Sequence, residues 1–315
     1  MSIQQQCTDS VIMIRPVSFT SNPETAVSNT FQANIDASEE EAVRNQAQVE
    51  FDGLVAALER AGVEVTVFDD TPDPVTPDAL FPNNWLSTHA DGDVVLYPME
   101  APSRRAERRD DVIDSLETKH GRQIQARHDL SPSEGKDRFL EGTGSLVLDR
   151  VNRIAYACLS NRTHPALFHD WCERFDFQPE AFTAMSHGKE IYHTNVMMCV
   201  GQSFAVVCEE SIVDEQERLR VRGRLERTGH EVVAISLAQM NAFAGNMLQL
   251  RSKDGKALLA MSSQAKNSLT DDQLERLEQH VTIVSADIST IEKYAGGSVR
   301  CMLAENFLPR SSADQ

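Results

Sequence analysis

Four segments of this 315-residue chain repeat one plan, and that repetition restricts the fold more than any local pattern. Each opens on small or polar residues that run into a short strand. A turn, a second apolar strand, a helix and a third strand follow. The pattern predicts Asn83–Ser87 leading to Val94–Tyr97, a helix at Ser103–Lys119 and a strand at Ile124–Ala126. Glu141–Leu148 leads to Arg153–Leu159, a helix around Pro165–Phe175 and Ala181–Met185. His193–Val200 leads to Phe204–Cys208, Val213–Thr228 and Val232–Ile235. Gly245–Leu250 leads to Ala257–Met261, Asp271–Gln279 and Val281–Val284. The leading polar residues Asn84, Glu141, His193 and Asn246 stand 57, 52 and 53 positions apart, and Cys301 follows 55 later.

A fifth unit comes from Val11–Arg15, a helix from Ala37 to Gly62 and Val63–Phe68. That helix has Ser38 as expected cap and Val43, Val49, Leu54, Val55 and Leu58 as apolar face. Its missing leading strand is supplied by the segment that carries Cys301. Such repeats bury their apolar faces on one another, and a ring of five leaves no strand edge open. The expected fold class is therefore α/β: a five-fold pseudosymmetric α/β propeller around a central site. One catalytic domain over residues 1–315 is expected, with approximate repeats at 11–78, 79–130, 136–187, 190–237 and 238–309.

Composition narrows the class of partner. A net charge of −18 argues against nucleic acid or an anionic membrane, and no apolar run reaches the length of a bilayer span. Six scattered cysteines without a CxxC pair suit reduced thiols in a cytoplasmic protein and give no zinc signature. No metal is expected, and with no glycine-rich phosphate loop no cofactor is implied. The expected partner is a small-molecule amino-acid substrate, with a homo-oligomer left open.

The chemistry-bearing candidates are the residues that head the leading strands. Cys301 follows Gly296-Gly297 and precedes Met302 and Leu303, a placement suited to a nucleophile as well as to a buried structural thiol. His193 heads the apolar run VMMCV and suits a general base and acid, whereas the other eight histidines are expected in solvated turns and helices. Glu141, framed by glycine in LEGTGSL, is either a solvated turn carboxylate or the group that orients His193. Asn84, Asn195 and Asn246 have a plainer role available in turns. In the SRRAERR run, most arginines form a solvated face paired with Glu107, while one is able to grip a carboxylate at two points.

With the five-fold plan and the order Glu–His–Cys on the page, the chain resembles the guanidine-modifying (pentein) superfamily from Val11 to about Phe307. That superfamily includes arginine deiminase, dimethylargininase, amidinotransferases and succinylarginine dihydrolase. The resemblance rests on FPNNW (81–85), YPMEAPSRRAERR (97–109), LEGTGSLVLD (140–149), HTNV (193–196) and GGSVRCM (296–302). IMIRPVSF near the start and GGSVRCMLAENFLP near the end read like its amidinotransferase-like branch of citrulline-utilization hydrolases. The resemblance implies Cys301 as nucleophile, His193 as general base and acid, and Glu141 as the carboxylate holding substrate and histidine. It places Arg104 where deiminases bind the substrate's α-carboxylate, and Asn83, Asn84, Asn195 and Asn246 on the substrate side.

The departures point to the substrate. Where deiminases have two aspartates flanking the guanidinium carbon, this chain has Asn84 and Asn195. A carboxylate only accepts hydrogen bonds and offers the charge a guanidinium needs; an amide is neutral and offers both donor and acceptor. Two amides suit a neutral ureido group. The first expectation is therefore a cysteine-dependent hydrolase of citrulline, giving ornithine, carbon dioxide and ammonia. A second is an arginine or N-substituted arginine deiminase or dihydrolase, or an amidinotransferase. A third, of another class, is a non-catalytic ring that binds an amino acid.

Overall fold

Short strands come in threes along this chain because each apolar middle strand has two sides to cover. In the computed structural model, which describes residues 5–27, 29 and 31–311, five three-stranded sheets share one topology. In each, a leading strand pairs antiparallel with a middle strand, which pairs parallel with a third. The parallel pair requires a crossover, and a helix supplies it every time. The crossover helices are Glu40–Arg60, Asp110–Thr118, Pro165–Arg174, Glu215–Arg227 and Asp271–Glu278. Middle strands Ile154–Cys158 and Phe204–Val207 are buried at every residue, which is why they read as unbroken apolar runs.

The fifth expected unit closes as the spacing suggests. Ser10–Arg15 lies between Glu64–Asp69, its parallel partner, and Ala304–Glu305, its antiparallel one. Leading strands of different sheets also meet: Ala304–Glu305 packs on Leu86–Thr88, and Met198–Val200 packs on both Val147–Asp149 and Leu248–Arg251. Gln6 ties two of them by donating to the carbonyls of Leu148 and Val200 at 2.8 and 3.1 Å. The leading strands are thus the inner ones. Among the described residues no helix is long and apolar enough to cross a membrane.

Several local expectations need correction. The polar leaders do not start strands. Asn84, Asn195 and Cys301 lie within single helical turns, Pro82–Asn84, Thr194–Met197 and Val299–Met302, while Glu141 and His193 sit immediately before such turns. One turn of helix shortens the backbone and swings a polar side chain inward before the strand begins. Helix Glu40–Arg60 starts after Ser38, with no side-chain cap, and Val49 is 65% exposed. Its buried stripe runs through Val43, Ala47, Phe51, Leu54 and Leu58, which leaves position 49 on the opposite side. The helix expected over Ser103–Lys119 is two pieces, a tight turn at Pro102–Glu107 and a helix at Asp110–Thr118, with Arg108 and Arg109 extended between them. His89 and His230 are buried rather than solvated; His89 stacks on Phe175 and bonds Ser87, and His230 bonds the carbonyl of Gly201.

Candidate active site

Cys301 is delivered by a loop with little freedom. Helix Ser289–Ala295 ends at Gly296, whose φ of 65° only glycine adopts without cost. Three groups then hold the loop: Asn29 donates to the carbonyl of Gly296 at 3.1 Å, the Tyr192 hydroxyl donates to the same carbonyl at 2.9 Å, and the Phe81 ring packs so close to Gly297 that a Cβ there would stand 2.6 Å from it. Ser298 donates to buried Glu292 at 2.6 Å and accepts from the Cys301 N–H at 3.0 Å. Cys301 is 5% exposed, and its sulfur is met by two amides, Nδ2 of Asn246 at 3.2 Å and Nδ2 of Asn195 at 3.5 Å. Asn246 also accepts the Arg300 N–H and donates to the Asn195 carbonyl, so it links the nucleophile turn to the histidine turn.

His193 is buried, and its Nε2 lies 2.8 Å from Glu141 Oε2. Burial would push the Glu141 carboxyl up, but Arg162, the bond from His193 and Arg104 outweigh it and hold it down at about 2. Burial, aided by Arg162 and Arg104, lowers His193 to about 4 despite the carboxylate. At neutral pH the pair is an ionised glutamate and a neutral imidazole. The imidazole N–H at Nε2 donates to Glu141, which leaves Nδ1 with its lone pair.

These groups share one pocket. Asn84, Arg104, His193 and Cys301 line one small pocket, with Asp78, Arg162 and Tyr192 on its other walls. The structure therefore brings Glu141, His193, Asn84, Asn195, Asn246, Arg104 and Cys301 together. Asn83, next to the pocket wall, is wholly buried; it accepts from Asn84 and its own Nδ2 has no partner. Arg104 is not a free grip for a ligand. Its guanidinium already holds Glu107 at two points, 2.9 and 2.8 Å, donates to Asn84 and lies 3.7 Å from Asp78.

Sequence reasoning missed several of the lining residues, Tyr192 among them. Asp78 keeps one carboxylate oxygen without a partner, while the other accepts from Asn22 and Thr25. Arg162 lies over the Tyr192 ring, 3.6 Å from Glu141. Thr25 and Asn29 also line the pocket. The only signals were an arginine just ahead of the Thr163–Pro165 helix start and an aspartate in a proline-rich connection. Among the described residues no group of three or more histidine, cysteine and carboxylate side chains could hold a metal ion.

Comparison with known proteins sets this geometry in context. The profile of a family described as N,N dimethylarginine dimethylhydrolase, eukaryotic, matches residues 15–308. No curated protein matches the chain. The substrate-bound N-terminal domain of ArgZ, an arginine dihydrolase from the ornithine–ammonia cycle in cyanobacteria, superposes with a TM-score of 0.73 at 16% identity, over 94% of this chain and 97% of that one. The apo structure of ArgZ gives 0.73 at 15% identity over 96% of this chain, which spans only 41% of that chain. A dimethylarginine dimethylaminohydrolase bearing an S-methyl-L-thiocitrulline adduct gives 0.64 at 13% identity, over 95% and 100%. At these identities the solved structures speak for the fold, a pentein ring.

Proposed function

We propose that this chain, which belongs to the N,N-dimethylarginine dimethylhydrolase family of the guanidine-modifying superfamily, hydrolyses the ureido group of citrulline to ornithine, carbon dioxide and ammonia. Membership in that family makes it a hydrolase of carbon–nitrogen bonds other than peptide bonds. The finer reading rests on one observation: the side chains that meet the Cys301 sulfur are neutral amides, Asn195 and Asn246. A cationic guanidinium brought there would lack a free carboxylate beside the reacting carbon, and burying a charge unpaired costs several kcal/mol. A neutral ureido group carries no such cost. The unpaired oxygen of Asp78 and the cationic Arg162 suit the α-ammonium and α-carboxylate of an amino acid.

The roles follow from the protonation states. The Cys301 sulfur attacks the ureido carbon as its proton passes to Nδ1 of neutral His193. His193 gives that proton to the nitrogen that leaves, and Glu141 steadies the transient imidazolium. His193, neutral again, draws a proton from water as the oxygen attacks the thiol-bound carbon. The thiol is restored, and breakdown of the released carbamate completes one ornithine, one carbon dioxide and one ammonia from citrulline and one water. All six cysteines are unpaired, which fits a reducing, cytoplasmic setting.

The test is to incubate purified chain with citrulline and with arginine and quantify ornithine and ammonia. Release from citrulline supports the proposal; release from arginine and none from citrulline defeats it. Arginine dihydrolysis is the second reading, favoured by the shared fold of ArgZ.

A further inference from the structure

We propose that Arg104, clamped by Glu107, is the specificity-determining residue of this site, because it fixes which end of the Asn84 amide the substrate meets. The inference rests on the ureido reading and deepens it.

Arg104 donates from Nε and Nη2 to the two oxygens of Glu107 at 2.9 and 2.8 Å. Its remaining arm, Nη1, donates to Asn84 Oδ1 at 2.8 Å. A guanidinium carries donors only, so the Asn84 atom that faces it must be the oxygen. Nδ2 is thereby turned away from Arg104. One of its hydrogens goes to Asn83 Oδ1 at 3.0 Å. The same nitrogen shares the space over Gly144 with the His193 ring; a Cβ on Gly144 would stand 2.5 Å from Asn84 Nδ2 and 2.9 Å from His193 Nδ1. The second Nδ2 hydrogen is what Asn84, a pocket-lining residue, has left to offer a ligand.

Asn195 is fixed with the opposite polarity. Its Nδ2 donates to the Cys301 sulfur, and its Oδ1 is buried with no partner. The site thus offers a donor fixed by Arg104, Asn84 Nδ2, and an acceptor with no partner of its own, Asn195 Oδ1. A ureido group answers both, its C=O accepting from Asn84 and its NH₂ donating to Asn195. A guanidinium, all donors, meets N–H with N–H at Asn84. An asparagine alone would turn its amide to suit either ligand. Arg104 removes that freedom, acting through Asn84 as a positioning residue.

The readout is a ratio of substrates, which a purely structural residue would not move. Arg104→Met has no donor, so the Asn84 amide is released, and the citrulline-to-arginine ratio of kcat/KM is expected to fall about 10- to 100-fold. Equal losses on both substrates overturn the proposal. Should Arg104→Met fail to fold, as judged by circular dichroism, Asn84→Asp supplies the same reading. It keeps Arg104 paired and presents acceptors only, so the ratio must fall by a similar factor; an unchanged ratio overturns the proposal. In a Cys301→Ala background the ratio is read from dissociation constants by calorimetry, with no turnover required. The two readings fail separately. The ureido reading falls when the unaltered chain consumes arginine alone. The polarity assignment falls when these substitutions leave the ratio where it was.

Discussion

The two sides of the pocket differ in how their polar atoms are satisfied. Around Cys301 the side-chain partners are amides, Asn195 and Asn246, and the acceptor Oδ1 of Asn195 is left over. Around Arg104 the partners are carboxyl groups, Glu107 and Asp78 beside the cation, with Glu141 3.9 Å away. The contrast teaches a division of labour. A buried ion is tolerated when another ion fixes its geometry, so the charged side is suited to holding a ligand in one orientation. The neutral side leaves a directional acceptor without a partner, which is where the proposed reaction would take place.

The strongest way to break that contrast is at the sulfur. Cys301→Ala should cut ornithine release by about 10⁴-fold or more while the thermal midpoint stays close to that of the unaltered chain. A variant that keeps substantial turnover would move the chemistry to another group.

His193→Asn comes next, with a loss of about 10²- to 10⁴-fold in kcat. It also has a signature in acid. A folded-state value of about 4 against an ordinary 6.5 means that between those pH values the unfolded chain binds a proton that the folded one refuses. His193 therefore makes the fold lose stability as pH falls from 6.5 towards 4. Glu141, held at about 2, extends the loss below 4.5. Glu107, which burial pushes up to about 7, acts in the opposite sense between 4.5 and 7. The check is accordingly a difference: urea unfolding of the unaltered chain minus that of His193→Asn should decline on acidification from pH 7 to pH 4. A difference that stays level would contradict the buried neutral imidazole.

On the charged side the expected effect is smaller and falls on binding. Asp78→Asn should raise KM for citrulline about 10-fold with a lesser change in kcat, as loss of an interaction made equally before and during the reaction. A drop confined to kcat would place Asp78 at the reacting centre. Smallest is Arg109→Ala. Arg109 pairs with exposed Asp111 outside the pocket, so turnover should hold and stability should shift by about 1 kcal/mol or less. A marked loss of activity there would mean the ionic side extends further than the geometry shows.

What was legible in the sequence follows the same physics. Period and polarity expose the leaders Asn84, Glu141, His193, Asn246 and Cys301, because a repeat must place equivalent positions equivalently. Their helical turns were hidden, since four residues carry no period. Val49 looked like core because apolar character alone does not give a residue's angle on the helix. Asp78 and Arg162 were invisible for another reason: they reach the pocket from connections whose path depends on tertiary contacts. A pairing of the SRRAERR arginines with Glu107 was legible, but not that Arg104 would be buried with it or that Asn84 and Asp78 would complete its surroundings.

One feature of the ring bears on how such an enzyme comes into being. Ala304–Glu305, the strand that seals the sheet of Ser10–Arg15, lies just three residues past Cys301. During synthesis four sheets can assemble while the first waits, edge open, for that late pairing. Until it docks, the turn that carries Cys301 lacks the strand that follows it, and on the proposed chemistry a prematurely terminated chain would lack a placed nucleophile. The proposed nucleophile and the closing strand thus arrive together, at the end of the chain.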